Sequence, residues 1–122
     1  MFTVSLSPSL SGRVTAGVVA LDFVEPLWFV LVDEYRLDIA SDTRCPLGQL
    51  WGRFSRGLKA LDIPENDAHL YGFDSPTALG EPGYFEWGPL HSETPAAREY
   101  AALSRMWRHV VRRKMSVRDL IM

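Results

Sequence analysis

Cys45-Pro46-Leu47-Gly48-Gln49-Leu50-Trp51-Gly52-Arg53-Phe54-Ser55-Arg56-Gly57-Leu58-Lys59-Ala60-Leu61 carries the strongest structural signal in the chain. Pro46 suits a first helical turn, where a missing N–H costs nothing, and Asp42 or Thr43 just upstream can start the helix. Leu47, Leu50, Trp51, Phe54, Leu58 and Leu61 then recur at helical spacing and make one apolar stripe. Gly48 and Gly52 fall on one side of it and would let another backbone come close. The spacing predicts a central helix from about Cys45 to Leu61.

Working outward, Ser9 or Ser11 can cap an earlier helix carrying Val14, Val18 and Leu21, although Gly12 and Gly17 weaken it. Pro26 suits the first turn of a second helix through Arg36, yet the run Leu27 to Val32 also reads as a buried strand, with helix favoured. Asp62 to Asp67 reads as a turn around Pro64, followed by a helical turn with Ala68, Leu70 and Tyr71 that Gly72 stops. Residues 74–94 hold Pro76, Pro82 and Pro89 with Gly80, Gly83 and Gly88, the composition of a long irregular loop. A last long helix is capped by Thr94, opens on Pro95 and runs to about Lys114, with Ala97, Tyr100, Leu103 or Ser104, Trp107 and Val110 facing inward. Ser116 and Asp119 spell a second capping box, so 115–122 is expected as a separate short turn or tail. The sum is a mainly α protein, a small single-domain bundle of four or five helices over residues 1–122, with 1–10 expected to be flexible.

At 122 residues with 47% hydrophobic composition, the chain can bury one core. No apolar run approaches the roughly 20 residues a membrane span requires, and neither a membrane nor a secretory route is expected, which leaves the cytoplasm. One cysteine cannot form an internal disulfide, in keeping with a reducing compartment.

The motif Cys45-Pro46-Leu47-Gly48-Gln49-Leu50-Trp51-Gly52 resembles one found in short uncharacterised proteins of actinobacteria and their phages, written Cys, an aliphatic residue, then Leu-Gly-Gln-Leu-Tyr-Gly. Leu21-Asp22 with Pro26 and Trp28, Leu37-Asp38, Tyr71-Gly72-Phe73, and Tyr100, Leu103, Trp107 and Arg112-Arg113 are similar too, so the likeness extends over about residues 14 to 114. Pro46 and Trp51 depart from it, as does a longer loop before the last helix. The resemblance implies an actinobacterial or phage origin, and it implies no activity, cofactor or site residue.

Read for chemistry, the chain offers little. Cys45 beside Arg44 at a helix start is an arrangement that can activate a thiol, but a small buried hydrophobe is the commoner role. His69, His91 and His109 share no metal-ligand spacing, and no metal or cofactor is expected. Gly52 to Ala60 nearly spells a phosphate loop, but Leu58 stands where lysine is required. No catalytic residue is assigned; an enzyme whose site is assembled from distant residues remains a further alternative. Tyr84, Phe85 and Trp87, embedded in the loop, are the candidate contacts for a protein partner. Charge is unevenly spread: eight acidic residues against one basic lie between Leu61 and Ser104, and six basic with none acidic between Arg105 and Arg118. Arg105, Arg108, Arg112, Arg113 and Lys114 are therefore candidate phosphate contacts for a nucleic-acid partner, or else a solvated face paired by the acidic stretch 62–99. The leading expectation is a non-enzymatic accessory protein that binds another protein, in a phage setting a modulator of a host process; nucleic-acid binding is the alternative.

Overall fold

The computed structural model describes residues 9–75 and 95–121, and all their regular structure is helical. In order come α1 (Leu10–Val24), α2 (Trp28–Leu31), α3 (Pro46–Trp51), α4 (Phe54–Leu61), a 3₁₀ helix (Glu65–Tyr71) and α5 (Pro95–Ile121). A mainly α fold with a long final helix agrees with the sequence. Tyr84, Phe85, Trp87 and most of the expected loop lie outside the described residues.

Ser9 caps α1, its hydroxyl accepting from the Gly12 N–H at 3.0 Å, and Val14, Gly17 and Leu21 form its buried face. That face lies on the 3₁₀ helix and on α5, while α2 packs across α5 and α3 folds back against α4. At the centre, Trp28 and Trp107 are fully buried and meet edge to face at 5.7 Å between ring centres, and Phe73 stacks on Trp107 at 5.2 Å. Leu37, Leu47, Leu103 and Val111 complete the surrounding core. Burying an aromatic ring in such a core stabilises by several kcal/mol, so the two tryptophans outweigh any single polar contact here.

Four expectations need correction. The helix Cys45 to Leu61 is two helices, because Gly52 adopts φ +93° and its N–H closes on the Gly48 carbonyl, ending α3. α4 restarts at Phe54, whose N–H donates to both the Asp42 carbonyl and its carboxylate, each at 2.9 Å. The chain turns a corner there, which leaves Leu50, Trp51 and Phe54 only partly buried. Residues 27–36 form one helical turn, Trp28–Leu31, before the backbone extends at Val32. The putting of 115–122 into a separate turn fails as well: α5 continues through Ser116 to Ile121, since Met, Lys and Arg favour continued helix and no breaker intervenes. Finally, it is Val111 rather than Val110 that is buried at the end of the inward face.

The Leu-Gly-Gln-Leu motif is explained by this corner. Cys45 caps α3 with its sulfur accepting from the Gly48 N–H at 3.2 Å, and Leu47 is fully buried. Backbone of Asp42 and Thr43 passes so close to Gly48 that a Cβ there would collide with it, whereas no backbone approaches Gly52, whose role is the turn. Gln49 clamps two loops: its amide oxygen accepts from the Asp33 N–H at 2.7 Å, and its nitrogen donates to the carbonyls of Asp33 and Arg44 at 3.2 and 2.9 Å. Cys45, Leu47, Gly48 and Gln49 of the motif thus each have a structural duty.

Candidate protein-contact surface

Cations of α5 do not form one open stripe. Arg108, half-buried, donates to the carbonyls of Glu34 and Leu37 at 3.3 and 2.9 Å and so pins the loop after α2. Arg112 pairs with the Glu34 carboxylate at 3.0 Å. Lys114 pairs with Asp22 at 3.1 Å, and the same carboxylate accepts from the buried Trp28 indole N–H at 2.9 Å. These partners come from the first third of the chain, not from the acidic stretch 62–99, because α5 runs alongside α1 and α2. Only Arg105 and Arg113 of the five candidate nucleic-acid contacts face solvent without such a bond to a described residue.

Cys45 is buried, and burial pushes its thiol up to about 11 from 9.0, with the Gly48 N–H working against that shift. The thiolate is disfavoured at neutral pH, which removes the case for a reactive cysteine. Because the folded-state value is raised, the protonated thiol's contribution to stability is complete below pH 9 and is lost as pH rises through about 11. The parent should lose on the order of 2 kcal/mol more than Cys45→Ala across that interval, which urea titrations of both proteins at pH 8 and pH 11 will measure. At pH 8 the folded parent should react with a disulfide reagent only after urea is added.

Among the described residues no group of three or more His, Cys, Asp or Glu is placed to hold a metal ion, and no helix is long and apolar enough to cross a membrane. The surface feature that stands out is apolar. Phe23 is 87% exposed, Leu120 86% and Tyr35 82%, with Leu27, Leu31, Val24 and Val117 also open. Phe23 and Val24 end α1, Leu27 and Leu31 bracket the single turn of α2, and Val117 and Leu120 belong to the last turns of α5, the helix on which α2 packs. The largely buried Phe29 lines two hollows, one of about 480 Å³ with Val111 and Met115 and one of about 400 Å³ with Val117. Arg113 and Arg118 rim the second hollow, and Lys114 lies 5.5 Å from the Phe29 ring centre. No family model, no curated protein and no solved structure matches the chain.

The sequence carries no signal for this exposure: Phe23, Val24, Leu27 and Leu31 read as ordinary core candidates, and only the shortness of α2 leaves them uncovered.

Proposed function

We propose that the chain is a non-enzymatic accessory protein of the cytoplasm that binds another protein through the apolar end around α2. The observation that carries this reading is the set of large apolar side chains left in water on the end of α1, on α2 and on the last turns of α5, Phe23, Leu27, Leu31 and Leu120 among them. Clustered exposed apolar surface marks protein contact sites, and removing each such side chain from water is worth roughly 1.5–3 kcal/mol. Its cationic rim, Arg113 and Arg118, favours a partner whose apolar segment is flanked by acidic residues. The motif resemblance supports a phage setting, in which that partner belongs to the host, and Tyr84, Phe85 and Trp87 remain candidate partner contacts in their own right. Nucleic-acid binding is the second reading; it rests on the solvent-facing Arg105 and Arg113 and has lost Arg108, Arg112 and Lys114 to structural bonds.

The test compares the parent, a joint Phe23→Ser, Leu27→Ser and Leu31→Ser variant, and Trp87→Ala in pull-downs from actinobacterial lysate, after sedimentation has measured self-association. The triple variant should keep its helical circular dichroism and lose specific partners at least tenfold. Undiminished recovery by the triple variant would sink the reading. Salt-sensitive binding of labelled DNA at low salt, abolished by Arg105→Ala with Arg113→Ala, would replace it with the nucleic-acid one.

A further inference from the structure

The hollows of this molecule differ in what their charges are doing. Beside α2, Glu34 and Arg112 neutralise each other at 3.0 Å. In the hollow near Phe54, of about 240 Å³, the Tyr100 hydroxyl donates to the Asp74 carboxylate. A third hollow, about 320 Å³ between α1 and α5, is different. Its floor is Val14, Ala102, Met106 and Val110; Arg105 and His109 stand on the α5 rim, and Ser11 and Thr15 on the α1 rim. Among the described residues no acidic side chain lines it, and neither Arg105 nor His109 has a side-chain hydrogen bond or ion pair to any of them.

Positions 105 and 109 are one helical turn apart, so both side chains leave α5 in the same direction over the same floor. Across the groove, the Thr15 hydroxyl spends its proton on the Ser11 carbonyl at 2.9 Å and can only accept. The Ser11 hydroxyl shares a 3.3 Å contact with Ser9 in which either can donate, so it is able to turn its proton toward a ligand. An arginine without a local counter-charge, above an apolar floor and facing a hydroxyl donor, is complementary to a carboxylate or sulfonate carrying an apolar group. We infer that the α1–α5 groove binds a small amphiphilic monoanion: its head group lies on Arg105, with His109 and Ser11 beside it, and its apolar part lies on Val14, Ala102 and Met106. At about 320 Å³ the groove is at the small end of ligand sites, so the occupant is a short chain or a single ring rather than a full lipid. This site is separate from the apolar end and does not depend on that reading.

Octanoate, octanol and octylammonium, each titrated into the ¹⁵N-labelled full chain below its micellar concentration, are the probes. Octanoate should shift the amides of residues 11, 14, 15, 102, 105, 106, 109 and 110 saturably, with the other two at least tenfold weaker. Arg105→Gln should weaken octanoate at least tenfold and leave octanol unchanged, and Ala102→Phe, which fills the floor from a half-exposed position, should block both without lowering the melting temperature. Equal affinity for octanol and octanoate, binding indifferent to Arg105→Gln, shifts confined to α2 and the end of α5, or no saturable shift would each overturn the inference.

Discussion

Trp107→Ala should remove about 3–5 kcal/mol of stability, the usual loss for emptying a buried tryptophan site. A domain this size has roughly 5–15 kcal/mol in total, so the variant should unfold at a much lower urea concentration or fail to fold at all. The magnitude follows from what the ring touches. It is fully buried, stacked on Phe73, set edge to face with Trp28, and its indole N–H donates to the Gly72 carbonyl at 2.8 Å. Trp107→Phe separates the packing from the hydrogen bond: most of the ring stays, the Gly72 carbonyl loses its partner, and the cost should fall to about 1–3 kcal/mol. Urea midpoints read by circular dichroism give both values. A loss under about 1 kcal/mol for the alanine variant would mean that the core is not organised around this side chain.

Gly17→Ala should reverse the sign that helix propensity assigns it. In an open helix interior that change gains up to about 1 kcal/mol. Here the new methyl would run into the Tyr71 carbonyl oxygen and lie 2.8 and 3.0 Å from two carbons of the Trp107 ring. The oxygen belongs to the 3₁₀ helix backbone and cannot swing aside, so either the 3₁₀ helix or Trp107 has to move. A loss of about 1–3 kcal/mol is expected for alanine, and more for Gly17→Val, by the usual scale of overpacking. Gly12→Ala, on the exposed first turn of the same helix, is the control and should be neutral or stabilising. Thermal melts of the three variants decide it, and a stabilised Gly17→Ala would show that α1 does not sit this close to the 3₁₀ helix.

These two glycines show what was legible in the sequence. Gly12 and Gly17 look alike there, each a demerit in a weak helix; only the packing of α1 on the 3₁₀ helix and Trp107 separates them. Helical character itself was legible, because apolar residues at spacings of three and four need no tertiary information. The Pro95 start and the Gly72 stop were legible for the same reason, each being a matter of one residue's own backbone. Gly52 was not: four residues after Gly48 it reads as half of a flat helix side, whereas in the fold it takes a positive φ at the corner where the Phe54 N–H turns to Asp42. Charge was the least transparent. Six cations in a row along α5 suggest a binding face, and nothing local reveals that Arg108 is spent on backbone carbonyls some 71 to 74 residues away. The apolar end was hidden in a different manner, since exposure of Phe23 or Leu31 is a property of what fails to cover them.

The lateness of Trp107 in the chain has a consequence for biosynthesis. Trp28, Leu37 and Phe73 are all made before the helix that buries them, and Arg108, Arg112 and Lys114, which fasten that helix to the early segments, follow Trp107 itself. During synthesis Trp28 and Phe73 emerge from the ribosome before the side chains that cover them. The core therefore cannot close until α5 has cleared the exit tunnel, and until then these aromatic surfaces are an apolar target for chaperones.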